Sequence, residues 1–441
     1  MTMLPLAALL QVSYPQLPPT DLAFIAASLL KLLVIFTIYL VIVSLLTLAE
    51  RRVAGWIQDR HGPNRAGPGG ILQPVADGLK NFMKEESRPT AAYEPIFTMA
   101  PALAFIPALV TWAVIPFAAP LPTRWGLITM QLADVPIGFI FILSVASLGV
   151  YGLVLAGWSS NNKYSLLGGL RASAQLVSYE IALGMATIPV LLLAGNVTLP
   201  AIIDQQVAGW WNVLGLTLAW FIFMVAAFAE TNRLPFDMPE AESELVAGYH
   251  TEYSSMKFSM FFIAEYASMI TISAFMVTMF WGGWDIPFTN WDNTAPYSVG
   301  KTLLTLLAFA AKLFFFIFAF MWVRWTLPRF RYDQLMALGW KFMIPLALAY
   351  IVVIATSLLV LDAVGVPRGN WQSFALFALN LVLCAMVFWA LDRGRLVSPA
   401  SRPARDVELA RLRAKSDPRV AAARRSGADR PAETLATEMG D

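Results

Sequence analysis

Charged side chains stand inside segments of this sequence that are otherwise almost wholly apolar. Glu265 lies in the run FFIAEYASMITISAFMVTMF, seven residues beyond Phe258, and Lys312 lies eleven residues beyond Lys301 in another run. A charge in such a segment is costly in a membrane, so it usually marks an ion or proton pathway. Burial favours the neutral form of a carboxyl group, which suits it to load and release protons. The alternative is a buried ion pair that holds helices together.

Further glutamates stand close to the ends of apolar runs. Glu180 lies just inside its run, in QLVSYEIALGM, whereas Glu50 and Glu230 come at the ends of theirs. Glu180 extends the set of candidate proton carriers. For Glu50 and Glu230 an ordinary charge at a helix end is an equally good interpretation.

The segment 230–257 is acidic, yet it is also apolar and rich in proline. Its acids outnumber its bases by six to two. The acids are Glu230, Asp237, Glu240, Glu242, Glu244 and Glu252, and the bases are Arg233 and Lys257. Pro239 suits a first helical turn, so we expect Glu240 and Glu244 on one helical face. Mutual repulsion should raise the pKa of some of these carboxyl groups. A solvated acidic loop is the alternative.

Nine apolar runs, each near the roughly 20 residues needed to cross a bilayer, must position these charges. They cover residues 24–48, 96–117, 137–157, 179–195, 211–229, 258–282, 300–323, 343–362 and 372–391. The chain is 58% hydrophobic and only 14% charged, which excludes a water-soluble globular protein. We predict an all-α, polytopic integral membrane protein with nine crossings.

The distribution of Lys and Arg predicts how these crossings are oriented. With the N-terminus outside, the cytoplasmic segments carry 26 basic residues and the outside segments carry two, Arg124 and Arg368. This asymmetry predicts an outside N-terminus and a cytoplasmic C-terminus. The long tail rich in Arg and Ala favours a bacterial origin, and hence a bacterial inner membrane. Within the first cytoplasmic segment, Ile71, Val75, Leu79 and neighbouring apolar residues share one helical face opposite charged ones. This pattern predicts an amphipathic helix in the membrane interface.

The chain lacks the residues of a redox centre. Cys384 is its single cysteine, and its two histidines are far apart, so we expect no metal or iron–sulfur site. The glycine-rich GPNRAGPGG has the wrong spacing for a dinucleotide fingerprint.

Four stretches make the sequence recognisable. They are ERRVAGWIQDRHGPNRAGPGGILQPVADGLKNFMKEE (50–86), GWSSNNKYSLLGGLRASAQLVSYE (157–180), AETNRLPFDMPEAESELVAGYHTEYSSMKFSMFFIAEY (229–266) and LPRFRYDQLMALGWKF (327–342). In these stretches the chain resembles the H subunit of bacterial NADH:quinone oxidoreductase, the ND1 family of respiratory complex I. All four fall on the side predicted to be cytoplasmic.

The resemblance implies three groups of functional residues. The quinone chamber and its entrance would involve Arg51, Arg60, Asp77, Arg171, Arg233, Arg324 and Arg329. A coupling loop would contain Asp237, Glu240, Glu242 and Glu244. The proton route would begin with Glu180, Glu230 and Glu265, and Lys312 also matches a family position. No residue would be catalytic in the redox sense.

The resemblance also implies partners and cofactors. Quinone would be the substrate, while FMN, NADH and iron–sulfur clusters would reside in partner subunits. Peripheral-arm subunits would close the chamber, and small membrane subunits and antiporter-like subunits would adjoin the chain, as would membrane lipids. We expect no nucleic acid.

The domain organisation departs from the family at the end of the chain. We predict an outside segment 1–23, a family membrane domain 24–362, an additional ninth span 363–391 and a charged, largely disordered tail 392–441. Three other functions stay open. They are the equivalent subunit of a complex I relative with another electron donor, a stand-alone ion-coupled transporter, and a purely structural anchor.

Overall fold

The computed structural model describes residues 22–123, 126–287, 289, 291–294, 297–367 and 369–392. The predicted N-terminal segment 1–23 and the predicted tail 392–441 therefore lie almost entirely outside the described residues. Residues Met1–Ala385 form one compact unit, and the structure describes only the end of α14 in the second, Met386–Asp441.

The described chain is built almost wholly from helices. In chain order they are α1 (Leu22–Ile57), α2 (Gln73–Met83), α3 (Glu94–Val110), α4 (Gly138–Ser159), α5 (Lys163–Ala194), α6 (Leu199–Ala208), α7 (Asn212–Gly215), α8 (Thr217–Glu230), α9 (Glu242–Leu245), α10 (Ser255–Phe280), α11 (Val299–Thr326), α12 (Tyr332–Ala337), α13 (Ile344–Val364) and α14 (Asn370–Asp392). Single 3-10 turns occupy Pro68–Gly70, Thr111–Val114 and Gly248–His250, and a π-helical segment, Leu338–Met343, joins α12 to α13.

Eight helices among the described residues are long and apolar enough to cross a membrane. They are α1, α3, α4, α5, α10, α11, the joined α12–α13, and α14. The prediction of an all-α, polytopic membrane protein is confirmed. The predicted run 211–229 differs, because it divides at Leu216 into α7 and the 14-residue α8. Leu216 has φ −130° and ψ 42°, outside the helical region.

Helix α5 begins much earlier than its apolar run. It starts at Lys163, although the run starts at residue 179, and the Asn162 side chain accepts a hydrogen bond from the Tyr164 backbone N–H at its first turn. The first half of α5 carries polar residues such as Arg171 and Gln175, so hydrophobicity alone does not reveal it. This half packs against the segment 230–257, which we call the acidic loop.

Two elements lie at opposite ends of the long helices. The predicted amphipathic helix is confirmed as α2, whose apolar residues Val75, Leu79 and Phe82 are all exposed. The strands β1 (Ala118–Thr123) and β2 (Gly126–Met130) form an antiparallel hairpin that the sequence did not predict.

The packed core lies between α3, α4, α5 and α10. Small residues such as Ala100 and Ala156 allow close approach of the helices, as is common in membrane proteins. Aromatic rings fill the remaining space, with Phe97 stacked on Tyr253 at 4.1 Å between centroids. Phe261 of α10 belongs to this core and lies about one turn before Glu265, a charged residue of the candidate site.

Candidate functional site

A buried arginine joins two glutamates that come from different helices. Arg233 follows α8, Glu50 lies in the last third of α1, and Glu265 lies in α10. Arg233 is 2% exposed. Its Nη1 donates to both carboxylate oxygens of Glu50 at 3.0 Å, and its Nε lies 2.5 Å from Glu265 Oε1 in an ion pair without hydrogen-bond geometry. Glu50 and Glu265 therefore share one cation.

The two glutamates differ in their other partners. Glu50 accepts a further hydrogen bond from Tyr266 Oη at 2.5 Å and pairs with Arg324 as well. The Arg233 guanidinium also lies over the Tyr266 ring, 4.3 Å from its centroid. Glu50 would thus keep positive and hydroxyl partners if Arg233 moved away. Glu265 depends more heavily on Arg233.

Two cavities lie on either side of this cluster. The first, which we call the arginine cavity, has a volume of about 300 Å³. It is lined by Glu50, Arg51, Ala54, Arg60, Pro63, Phe262, Tyr266, Arg324 and Trp325. The second, which we call the acidic cavity, has a volume of about 70 Å³ and is lined by Glu230, Glu240 and Glu265 among mainly apolar residues. The acidic cavity has room for several water molecules, since one needs about 10–15 Å³.

Helix α10 faces both cavities because of its periodicity. Glu265 and Tyr266 are consecutive, so their side chains point about 100° apart around the helix. Glu265 lines the acidic cavity and Tyr266 lines the arginine cavity. Arg233 contacts both residues, so a charge change on one side can act on the other through a single guanidinium.

The acidic loop supplies two buried carboxyl groups. Asp237 pairs with Arg329 at 2.6 Å, and burial raises the pKa of Asp237 against the opposing effect of this arginine. Glu240 is more strongly affected. Burial, followed by the charges of Glu265 and Asp237, raises the pKa of Glu240 well above its usual range. Glu240 therefore keeps its proton to a higher pH than an ordinary glutamate does.

The expectation that Glu240 and Glu244 share one helical face is wrong. Helix α9 is only Glu242–Leu245, and Glu240 lies before it on the acidic cavity. Glu244 points elsewhere and pairs with Arg171 at 2.5 Å, while Glu242 is exposed. The chain turns sharply at Ala241, where φ is 19°, so the helix cannot extend back to Pro239.

The remaining residues of the predicted chamber lie nearby. Arg51 lines the arginine cavity and also pairs with Asp77 of α2 at 2.7 Å. Arg60 lines the same cavity. Arg171 and Arg329 instead hold the acidic loop, through Glu244 and Asp237. The structure thus divides these four arginines into a cavity-lining pair, Arg51 and Arg60, and a loop-holding pair, Arg171 and Arg329.

Three predicted proton-route residues lie on or beside the acidic cavity, and the fourth does not. The carboxylates of Glu180 and Glu230 are near enough to repel each other, and Glu180 accepts a hydrogen bond from Ser147. Lys312 instead donates to the backbone carbonyls of Trp281, Gly283 and Asp285, at 2.7, 3.1 and 2.6 Å. These carbonyls follow the last turn of α10, where a cation is favoured.

Sequence reasoning missed two residues that organise the site. The Gln175 amide is buried and donates to the carbonyls of Ala229 and Phe236, at 2.8 and 2.7 Å, which ties the end of α8 to the acidic loop. Gly248 has φ 61°, and a Cβ there would meet the Pro239 carbonyl oxygen at 1.6 Å. In the sequence, the available signals were a polar amide, Gln175, between apolar residues and a glycine, Gly248, within the acidic segment.

Fold and site together define a polytopic helical membrane protein in which buried carboxylates and arginines separate two cavities. The family model described as NADH dehydrogenase matches residues 30–355. The chain belongs to this family.

Several bacterial relatives are similar over most of their length. The NADH-quinone oxidoreductase H subunit numbered 1 in Cytophaga hutchinsonii is 50% identical over 325 residues, which cover 74% of this chain and 94% of that protein. The NADH-quinone oxidoreductase H subunit of Salinibacter ruber is 49% identical over 330 residues, covering 73% and 93%. The corresponding H subunit of Leptospira biflexa is 48% identical over 335 residues, covering 74% and 93%.

Proposed function

We propose that this chain is the H subunit of a proton-translocating NADH:quinone oxidoreductase. In this role it forms much of the quinone chamber and couples quinone reduction to proton movement. The observation that carries the proposal is the position of Arg233, which is shared between Glu50 on the arginine cavity and Glu265 on the acidic cavity. The relatives are named NADH-quinone oxidoreductase subunits, which favours NADH over another donor.

The arginine cavity has the chemistry to receive a quinone head group. Its volume of about 300 Å³ is at the lower end of the range for small-molecule sites. Phe262, Tyr266 and Trp325 offer apolar and aromatic surface, and Arg60 and Arg324 would stabilise the negative charge of a partly reduced quinone. Quinone becomes quinol by taking up two electrons and two protons. The electrons would come from an iron–sulfur cluster in a partner subunit. NADH would supply them through FMN, which would also be bound by partner subunits.

The coupling step follows from the shared arginine. Negative charge in the arginine cavity would attract Arg233 toward Glu50 and weaken its pair with Glu265. Glu265 would then take up a proton, because an unpaired buried carboxylate is unstable. Glu240 and Glu230 line the same acidic cavity and could receive or supply that proton. The residues Glu180, Glu230 and Glu265 would thus form the start of the proton route toward antiporter-like subunits.

The proposed setting is the inner membrane of a bacterium, with the N-terminus outside and the C-terminus in the cytoplasm. The strong bias of Lys and Arg toward one side supports this orientation. It would put α2 and the acidic loop on the cytoplasmic side, where peripheral-arm subunits would close the chamber. The exposed apolar face of α2 would lie against lipid headgroups near the quinone entrance.

The test is purification of the tagged chain in mild detergent, followed by an NADH:quinone reductase assay. We expect flavin, iron–sulfur and antiporter-like subunits to copurify with the activity. A chain that runs alone without redox partners would reject the proposal and favour a stand-alone transporter.

A matched pair of variants tests the arginine cavity itself. Arg60→Gln should raise the KM for quinone, because it removes a positive charge from the cavity wall. Arg65→Gln removes the same charge from an exposed position of the same loop and should leave the KM unchanged. Equal effects of the two substitutions would show that the cavity is not the quinone site.

A further inference from the structure

The divided span α7–α8 contains a backbone break at membrane depth. Helix α8 has 14 residues and is about 21 Å long, whereas a bilayer core is about 30 Å thick. Its last residue is Glu230 on the acidic cavity, and its first, Thr217, follows the break at Leu216. A backbone group without a partner is unstable in lipid, so such a break must be covered by protein.

Helix α14 covers this break with a buried amide. Asn380 is 1% exposed, although it lies in an otherwise apolar helix. Its Nδ2 donates to the carbonyls of Gly215 and Leu376, and its Oδ1 accepts from Tyr350 Oη at 2.7 Å. Asn380 comes ten residues after the start of α14, about 15 Å along the helix. The contact with Gly215 therefore lies near the middle of the membrane.

A second set of contacts joins α14 to the residue before Trp211, just ahead of α7. The Trp210 backbone N–H donates to Ser373 Oγ at 3.3 Å. The Trp210 indole lies against Phe374 and Phe377, with centroids 6.2 Å apart in both cases. One turn after Leu216, a polar atom could hold water if the break opened, since among the described residues Trp220 Nε1 is buried without a hydrogen-bond partner.

We infer that α14 acts as a proton seal, in which Asn380 closes the break in α7–α8 against water and protons. The match to the family ends at residue 355, so this helix lies beyond the matched region. An amide suits a seal because it does not titrate and can saturate a backbone carbonyl. The inference rests on the proposed function in one respect, namely that the complex maintains a proton gradient across this membrane.

The test measures passive proton flow through the complete complex in proteoliposomes that contain a pH-sensitive dye. A pH gradient is imposed without NADH or quinone, and its decay is followed. We expect Asn380→Leu to accelerate the decay severalfold, because the Gly215 carbonyl loses its donor. Leu381→Ala is the control, since Leu381 is the adjacent residue and is 60% exposed. It should leave the decay unchanged.

A second measurement follows hydrogen–deuterium exchange of residues 209–220 in the same complexes. Loss of one buried hydrogen bond should speed exchange about tenfold in Asn380→Leu and leave Leu381→Ala unaltered. If Asn380→Leu does not assemble, Ser373→Ala tests the second contact by both measurements, with a smaller acceleration expected. Unchanged proton flow in an assembled variant overturns the seal, even where exchange rises, since α14 would then be only a structural support.

The two proposals fail in different ways. The leak assay needs no substrate, so it reads the seal even in a complex that does not reduce quinone. Conversely, normal NADH:quinone reductase activity with a rapidly collapsing gradient in Asn380→Leu would support both proposals together.

A further pair of truncations, after Gly365 and after Asp392, should separate α14 from the residues that follow it, and only the first should leak.

Discussion

The two ends of α10 are held by different chemistry. Around its first half, Arg233, Glu50, Glu265 and Tyr266 form a cluster of ionisable groups. Around its last turn, amides and one ammonium group bind main-chain atoms. Gln206 and Asn212 donate to the carbonyls of Thr278 and Met279, both at 2.9 Å, and Lys312 donates to the three carbonyls that follow α10. We call these regions the ionic end and the amide end.

The two ends of α10 differ in whether their contacts can rearrange. Amide groups do not change charge, and at the amide end the carbonyls that follow the last turn of α10 have donors, so that end has one preferred arrangement. At the ionic end, acceptors compete for one guanidinium. Among the described residues, buried atoms without a hydrogen-bond partner include Arg233 Nη2, Glu230 Oε2 and Asp237 Oδ1 at this end, and Trp281 Nε1 at the amide end, where no ionised group competes for it. We infer that α10 is anchored at one end and can rearrange its ion pairs at the other.

The largest effect that this comparison predicts is that of Arg233→Met. Glu265 loses the ion pair that the structure gives it, whereas Glu50 keeps Arg324 and Tyr266. Removing one partner of a buried pair costs about 3–5 kcal/mol. Much less complex should therefore assemble, and quinone reductase activity in membranes should fall on the order of a hundredfold or more, because the complex that remains also lacks the arginine shared by Glu50 and Glu265.

A second substitution shows which glutamate is left unpaired. Arg233→Met combined with Glu265→Gln should recover more assembled complex than Arg233→Met combined with Glu50→Gln. The amount of complex on native gels measures this. Better recovery with Glu50→Gln would contradict the assignment of Glu265 as the more dependent partner.

The next largest effect is on the pH dependence of activity, because the ionic end contains a carboxyl group, Glu240, that can titrate. Because burial and the neighbouring carboxylates raise the pKa of Glu240, its neutral form persists to a higher pH than that of an ordinary glutamate and is lost as the pH rises through that pKa. Activity that requires the neutral form should fall on the alkaline side. In Glu240→Gln that alkaline fall should weaken, while the exposed acid variant Glu85→Gln keeps the original profile. Identical pH profiles for all three complexes would remove Glu240 from the coupling.

Much of this architecture could be predicted from hydrophobicity and charge. The eight long helices coincide with apolar runs because lipid demands helices with few charges over about 20 residues. The start of α5 and the break at Leu216 could not be predicted in the same way. Both depend on tertiary partners, the acidic loop for α5 and Asn380 for the break.

The site was predictable in its residue types but not in its pairings. Glu265 stood out as a carboxylate in an apolar run, and the acidic loop stood out by composition. That Arg233 joins Glu50 to Glu265 depends on three segments far apart in sequence, which no local pattern encodes. Resemblance likewise assigned Lys312 to the family's functional positions without revealing the carbonyls that bind it.

A smaller effect is expected at the amide end, where Lys312→Met tests whether that end is static. The lost ammonium leaves three carbonyls without this donor near a helix C-terminus, which should cost about 1–2 kcal/mol of stability. The ratio of protons pumped to electrons transferred should not change in the variant that assembles. If pumping were lost while thermal stability and quinone reduction persisted, Lys312 would belong to the proton route and the contrast between the two ends would fail.

The smallest effect is expected at the surface of the ionic end, because charge there is exposed to solvent. The carboxylate of Glu244 pairs with Arg171 at 2.5 Å, but about half of the Glu244 side chain is exposed, at 49%. Such pairs contribute less than about 1 kcal/mol, so Glu244→Gln should change the rate of quinone reduction by a factor of about five at most. The measurement is best made at low and high ionic strength, since screening should abolish even this difference. A large loss that salt does not reduce would mean that the acidic loop acts through its exposed carboxylates as well as through the buried Glu240 and Asp237, and the ionic end would then extend to the protein surface.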